Sequence, residues 1–185
     1  HVLLLSIVPL AVADPVFSVE RDIFTEPFSL EVTPSTATAT VYVSTDGTEP
    51  TALLVGPISV TQTTVVRAVE VDDQGVSGPV VTHTYLFPAD IVTQAAMDPA
   101  VTGSAAYAED ILRTLSSLPS VSLVSVGALT TAQSPVSAEW IDPHGPDLQV
   151  NCAAARTGTT SLGYPKNSLR LYFNGDYGPN GVDFD

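Results

Sequence analysis

The chain has 185 residues, enough for one domain of ordinary size or two small ones, and its hydrophobic content of 44% can supply a buried core. Its 20 acidic residues outnumber its 6 basic residues, which gives a formal net charge of −14. Because such a surface repels phosphate backbones and anionic lipid, we expect no nucleic-acid partner. The low charge content and the 15 prolines are typical of extracellular β modules.

The first residues form an apolar segment of secretory length. Residues 2–13 contain no charged side chain, and Ala11-Val12-Ala13 has the small-x-small spacing of a signal-peptidase site. The segment is too short to cross a bilayer as a helix, and neither a Met nor a basic region precedes it. We interpret residues 1–13 as the remnant of a signal peptide; the alternative is a buried strand of a larger protein. Both interpretations are compatible with export, and we expect no transmembrane span beyond the possible signal peptide.

Short β-type runs separated by turn residues fill residues 14–88. The turns are marked by Pro, Gly and Asp clusters such as Gly56-Pro57 and Asp72-Asp73-Gln74-Gly75. This spacing predicts a mainly β chain that begins with an Ig-like antiparallel β-sandwich. The predicted strands are Val16–Val19, Phe28–Val32, Thr38–Ser44, Ile58–Val60, Thr64–Val71 and Val80–Leu86.

The run Tyr42–Thr51 combines a strand with a tight turn, in which Asp46-Gly47 is followed by Pro50. It resembles the Y-x-x-D-G-x-x-P-T signature of the chitobiase/β-hexosaminidase C-terminal module, also called fibronectin III-associated. The segments Thr63–Ala68 and Ser77–Tyr85 resemble further motifs of that family in the family's order. The resemblance implies a compact, non-catalytic sandwich that supports neighbouring domains, with Asp46, Gly47 and Pro50 as structural turn residues. Arg67 within it is interpreted as an outward-facing charge on a strand.

Residues 89–134 are predicted to be a connector that contains one helix, at about 105–118. Ser104 can cap its N-terminus, and Pro119 ends it. Spacings of four, four and three residues place an apolar stripe on one side of this helix, which predicts a core-facing side. The stripe consists of Tyr107, Ile111, Leu115 and Leu118. The alternating run Val121–Val126 predicts a strand after the helix.

The last part of the chain, residues 135–185, is predicted to form further strands in a small, incomplete α+β segment. The strands are expected at Val136–Ile141, Leu148–Ala154 and Leu169–Phe173. The text S-A-E-W-I-D-P-x-G, then Q-V-N-C, then Tyr164–Phe173 resembles the opening of the CotH-type, spore-coat kinase-like domain. This resemblance implies phosphoryl transfer from ATP with Mg²⁺ in a complete domain of that family.

Four residues match the pattern of that family by position, namely Arg156, Gly158, Ser161 and Lys166, and three of them are candidates for phosphate binding. The resemblance implies that Lys166 places a point charge on phosphate, that Arg156 clamps it, and that Gly158 lets the backbone approach closely. The alternative is that these bases only decorate a β-hairpin and pair with surplus carboxylates. Because the sequence ends at Asp185, soon after Lys166, we expect an incomplete CotH-like domain without catalytic residues of its own. ATP and Mg²⁺ would then be ligands only of a complete domain.

Other chemistry is weakly supported by the sequence. Cys152 stands alone in an apolar run, so it is interpreted as a small buried hydrophobe. The histidines His1, His83 and His144 lack companions at metal-ligand spacing, and His83 is interpreted as a surface strand residue. The Asp72–Gly75 turn is interpreted as an ordinary turn, with a Ca²⁺ loop as the alternative. No metal site is therefore predicted.

The sequence favours a non-catalytic accessory sandwich of a secreted or cell-surface bacterial multidomain protein, joined to the start of a CotH-like domain. Its partners are expected to be the neighbouring domains of the same polypeptide, with cell-surface or matrix components as further candidates. Two alternatives stay open. One is a secreted atypical kinase of the CotH type, and the other is a carbohydrate-associated binding module.

Overall fold

A computed structural model describes residues 11–164 and 166–183, so the predicted signal-peptide remnant lies mostly outside the described residues. Within them the chain is mainly β and forms two units. The first is a β-sandwich and the second is a single four-stranded sheet, and three short helices connect them. No helix in this described part is long and apolar enough to cross a membrane.

The sandwich has two layers. One layer is a five-stranded sheet in the order β2-β9-β8-β5-β6, in which only β2 and β9 run parallel. The other layer consists of the antiparallel pairs β1-β4 and β3-β7. The strands are β1 Val16–Phe17, β2 Asp22–Ile23, β3 Phe28–Leu30, β4 Val32–Thr33, β5 Thr40–Ser44, β6 Ala52–Leu53, β7 Ile58–Val60, β8 Thr64–Val71 and β9 Val81–Leu86.

Alternating apolar residues build the core between these layers. In β5 and β8 every second side chain is buried, as a strand with one face on the core requires. These side chains pack against Leu30, Val60 and Phe17 of the opposite layer. The predicted sandwich is confirmed. The core consists of Phe17, Leu30, Val32, Val41, Val43, Val60, Val66, Ala68, Tyr85 and Phe87.

The predicted strand Phe28–Val32 is split into two strands. Phe28–Leu30 pairs with β7, whereas Val32–Thr33 pairs with β1, so the chain changes partner at the exposed Glu31. The strands β2 and β6 were not expected from the sequence, because two residues are too few to show a period.

The connector contains helices α1 Pro88–Val92, α2 Pro99–Thr102 and α3 Ala108–Leu115. The predicted helix over 105–118 is therefore too long at both ends. The Ser104 carbonyl accepts a hydrogen bond from the Tyr107 N–H in a turn, and the side chain of Ser104 does not cap α3. The predicted core-facing stripe is also wrong at its ends, since Tyr107 and Leu118 are more than half exposed. Residues 105–107, which the sequence pattern assigned to the helix, instead lie in the turn between α2 and α3.

The second unit is an antiparallel sheet in the order β10-β11-β12-β13. Its strands are β10 Ser120–Val124, β11 Ser134–Ile141, β12 Leu148–Thr157 and β13 Ser168–Tyr172, with a short 3-10 turn at Thr160–Gly163. β10 lies within the residues assigned to the connector, yet it pairs along its whole length with β11. One face of the sheet carries an apolar cluster that includes Val136, Val150 and Cys152. The opposite face carries the polar side chains of Ser137, Glu139, Gln149 and Asn151, and this polar face packs against the sandwich.

Candidate functional site: the interface between the two sheets

Strand β9 is buried on both of its faces, whereas the outer face of a strand in a two-layer sandwich normally contacts solvent. His83 and Tyr85 point to the sandwich side, where Tyr85 belongs to the core. Thr82 and Thr84 point the other way and are 0% and 2% exposed. Their face is covered by the polar face of the second sheet, so the two units share a buried interface.

A buried ion pair crosses this interface. The Arg21 Nε atom lies 3.0 Å from Glu139 Oε1, and Arg21 Nη2 donates to the Thr82 carbonyl at 3.2 Å. The Thr84 N–H donates to the same Glu139 oxygen at 2.9 Å, and the Thr84 hydroxyl donates to the other oxygen. Ser122 of β10 lies 2.8 Å from that hydroxyl. Both carboxylate oxygens thus have donors, as a buried charge requires.

Burial of Glu139 and the hydrogen-bond partners of Glu139 shift its pKa in opposite directions. Desolvation of the fully buried side chain raises the pKa of Glu139, against the lowering effects of Thr84 and Arg21. Neither Arg21 nor Glu139 was recognised as a site residue from the sequence. The available signal was Glu139 itself, the one charged residue in the predicted strand Val136–Ile141.

His83 is not the surface residue that the sequence predicted. Its imidazole is buried and stacks on Phe17 with the ring centres 4.0 Å apart. Burial, with the Arg21 charge as a second cause, lowers the pKa of His83 to about 3. The imidazole is therefore neutral at pH 7, and its 3.9 Å separation from the exposed Glu20 carboxylate is not an ion pair. Tyr85 beside it donates its hydroxyl to the Val19 carbonyl at 2.8 Å, and burial raises the pKa of that phenol.

Neutral amides make a second connection between the units. Asn151 of β12 donates from Nδ2 to the Val80 carbonyl at 3.1 Å. Gln149 holds that amide in place, because its Nε2 donates to Asn151 Oδ1 at 3.1 Å and to Ser137 Oγ at 2.9 Å. The Asn151 amide that bonds to the sandwich is thus also held by a hydrogen bond within its own sheet.

Beside these contacts lies an open cleft of about 430 Å³ between the two units. Arg67 and Glu49 line its sandwich side, and Asn151 and Tyr177 line the opposite side. The prediction that Arg67 faces outward is wrong, since its side chain is only 11% exposed. Its Nη1 atom donates to the Thr48 carbonyl at 3.1 Å and lies 3.6 Å from Glu49 Oε2. Arg67 is therefore held in the wall of the cleft by the Thr48-Glu49 turn of its own unit.

The Asp46-Gly47 turn is hydrogen-bonded within itself and also lies close to the second sheet. Asp46 Oδ1 accepts hydrogen bonds from the Thr48 hydroxyl at 2.6 Å and the Thr48 N–H at 3.1 Å, and these bonds lower the pKa of Asp46. Gly47 has φ +79°, and a Cβ there would lie 3.3 Å from Cγ1 of Val124 in β10. Pro50 is buried at the end of the turn.

The three residues proposed for phosphate binding lie at the far end of the second sheet. Arg156 Nη2 donates to the Leu162 carbonyl at 2.9 Å and to Asn167 Oδ1 at 2.5 Å, so this group braces the loop between β12 and β13. Gly158 has φ +120°, and a Cβ there would lie 1.9 Å from Ser161 Oγ, so the loop itself requires glycine. Lys166 is exposed. These structural roles account for Arg156 and Gly158, and phosphate binding stays a prediction.

Other titratable groups do not form a reactive cluster among the described residues. There, no group of three or more His, Cys, Asp or Glu side chains converges as a metal site would. Cys152 is buried in the second core, as predicted, and burial raises the pKa of its thiol. The cleft is lined by one carboxylate, Glu49, which already lies beside Arg67. This chemistry suits hydrogen bonding to a neighbour or ligand better than proton transfer.

Comparison with known proteins supports the first of the two resemblances. The family model of the chitobiase/β-hexosaminidase C-terminal domain matches residues 21–82, about a third of the chain. No curated protein and no solved structure matches the chain significantly. The CotH-like resemblance of residues 135–185 finds no support in these comparisons and stays a prediction. The matched residues form most of the sandwich, and they begin and end at Arg21 and Thr82, which meet in the buried interface. The sandwich of this chain is therefore similar to a chitobiase/β-hexosaminidase C-terminal domain.

Proposed function

We propose that the chain is a non-catalytic structural module of a secreted or cell-surface bacterial protein, in which the sandwich holds the second sheet in a fixed orientation. The observation that carries this proposal is the buried network of Arg21, Glu139 and Thr84, which joins the two units through charged hydrogen bonds. Such a pair is costly to break because the remaining charge would be buried alone. A flexible linker between two independent domains would not need it.

Spin-label distances test the fixed orientation. Labels at Val55→Cys in the sandwich and Ser168→Cys in β13 sit on exposed residues, and the native Cys152 is buried. We expect a narrow distance distribution in the parent chain and a broad one after Glu139→Ala. Asp110→Ala is the control, because it breaks the exposed pair with Arg113 on α3. A broad distribution in the parent chain would show two independent domains and would overturn the proposal.

A carbohydrate-associated role is the second candidate, and the match to a chitobiase-type domain favours it. The cleft with Arg67, Glu49 and Asn151 offers the hydrogen-bonding groups that sugar hydroxyls need. Retention of the chain on insoluble chitin, with loss of retention after Arg67→Ala, would support this role. We expect no retention on chitin or cellulose if the module is purely structural.

A CotH-like identity of the second unit rests on its residues alone, and the kinase alternative rests on the same residues. The test is a thermal shift with ATP and Mg²⁺. A rise in the midpoint that Lys166→Ala abolishes would support nucleotide binding. We expect no rise for this chain by itself, because Arg156 is engaged in bracing its loop.

A further inference from the structure

Half of the basic residues of this acidic molecule lie in one hairpin that contains no acidic residue. Residues 148–175, which contain β12 and β13, include three basic residues and no Asp or Glu, a formal charge of +3. The rest of the chain has three basic residues and all 20 acidic ones, a formal charge of −17, which together make the −14 of the whole chain. The hairpin is therefore a basic surface on a molecule that otherwise repels anions.

The three basic residues outside the hairpin all have acidic partners. Arg21 pairs with Glu139, Arg67 with Glu49, and Arg113 with Asp110. Within the hairpin, Arg156 is bonded only to neutral oxygens, those of Leu162 and Asn167.

Lys166 and Arg170 complete the contrast between the hairpin and the rest of the chain. Both side chains are exposed, and the charged group of neither forms a hydrogen bond or an ion pair with any other residue that the structure describes. The earlier alternative, that the hairpin bases pair with surplus carboxylates, is therefore not what the described residues show. Their charges are available to another molecule.

The same hairpin presents an open sheet edge. β13 is the last strand of its sheet, and no described strand pairs with its outer side. Ser168, Leu169 and Arg170 are exposed, and alternate backbone N–H and C=O groups of such an edge point away from β12. Leu169 is 42% exposed and Tyr164 nearby is 60% exposed, so the edge also offers apolar surface to a partner.

We propose that β13 is a docking edge for an acidic, extended polypeptide, which adds to the sheet as a fifth strand. Main-chain hydrogen bonds to β13 would provide the binding, and carboxylates of the partner beside Lys166 and Arg170 would select it. A strand without acidic residues would form the main-chain hydrogen bonds to β13 but would leave Lys166 and Arg170 without a counter-charge. A small anion would neutralise these charges but would leave the backbone groups of β13 unpaired.

The test uses the full chain and a short synthetic peptide of alternating Glu and Thr residues. We expect binding that weakens as salt is added, and slower hydrogen exchange of the backbone amides of residues 168–172 in the complex. Arg170→Glu should weaken binding by about tenfold or more, because it places like charges together. The matched control is Arg113→Glu, which makes the same change of charge on the distant helix α3 and should leave binding nearly unchanged.

Four results would overturn the proposal. The peptide could fail to bind, or Arg113→Glu could weaken binding as much as Arg170→Glu, which would indicate an effect of net charge only. Binding without protection of residues 168–172 would exclude strand addition. Inorganic phosphate is the probe for a small-anion site, and displacement of the peptide by phosphate at a similar concentration would assign the hairpin to such a ligand instead.

Discussion

At the scale of single residues, the interface depends on charged and polar groups that are buried as a set. Glu139 has a hydrogen-bond donor for each carboxylate oxygen, and Arg21 is fixed by Glu139 and the Thr82 carbonyl. His83 lies on the face of β9 opposite to Thr82 and Thr84, and burial keeps its imidazole neutral. The sequence shows that these residues are polar, but only the fold shows that they are buried.

Removing one member of the ion pair should destabilise the chain strongly. We expect Glu139→Ala to lower the free energy of unfolding by about 3–5 kcal/mol, because it leaves the Arg21 guanidinium buried without its counter-charge. Asp110→Ala, at an exposed pair, should change it by less than about 1 kcal/mol. Urea unfolding measures both values. Equal effects of the two substitutions would contradict a special role for Glu139.

His83 should make the chain sensitive to acid. Below pH 6.5 the unfolded chain takes up a proton at this residue, whereas the folded chain does so only near its pKa of about 3. The contribution of His83 is thus fully present above pH 6.5 and is lost as the pH falls toward 3, at up to about 1.4 kcal/mol per pH unit.

The substitution His83→Phe removes the group that takes up the proton and keeps an aromatic ring that can stack on Phe17. The free energy of unfolding of this variant should depend less steeply on pH between 6.5 and 3 than that of the parent chain. Glu139, with its raised pKa, acts in the opposite direction in both proteins and does not affect the comparison. Identical slopes in urea unfolding at several pH values would show that His83 is not buried as described.

At the scale of elements, the strands with a clear period were predictable and the contacts between units were not. Ile58–Val60 and Thr64–Val71 were predicted with their observed bounds. The helix was predicted too long because Tyr107, the first residue of its apolar pattern, lies in the turn before α3, and Leu118 lies beyond the end of α3.

The site was harder to predict than the strands. The alternation in β9 separates Thr82 and Thr84 from the core side, but nothing in the local sequence says that another sheet covers them. Among the predicted site residues, Asp46, Gly47 and Pro50 belong to a turn, a feature that local sequence can indicate because turn chemistry is local. Arg67 was misjudged because the residues that line the cleft with it from the second unit, 124–128 and 151, are distant in sequence.

Substitution of two glycines distinguishes the effect of backbone strain from the effect of the contact between the units. Gly47 and Gly56 have nearly the same φ, +79° and +81°, but only Gly47 lies against Val124. Gly56→Ala should cost about 1–2 kcal/mol, the price of a left-handed L-residue. Gly47→Ala should cost more, because its Cβ also presses on β10. Thermal or urea unfolding gives the difference, and equal costs would mean that the turn does not bear on the second sheet.

At the scale of the whole molecule, the buried interface should make the two units unfold together. Trp140 in β11 is the only tryptophan of the chain, so its fluorescence reports on the second sheet, whereas far-UV circular dichroism reports on all strands. We expect the two transitions in urea to coincide. Loss of the tryptophan signal at a lower urea concentration would show that the second sheet unfolds by itself.

The double burial of β9 affects how this domain can be exchanged between genes. A border drawn by family similarity ends at residue 82, inside the strand that both units share. Recombination at that border would give a new protein the Arg21 side chain without Glu139, and would give the donor the reverse defect. The sandwich and the strand that carries Glu139 should therefore be inherited as a pair, so relatives that keep an arginine at this place are expected to keep the acidic partner too.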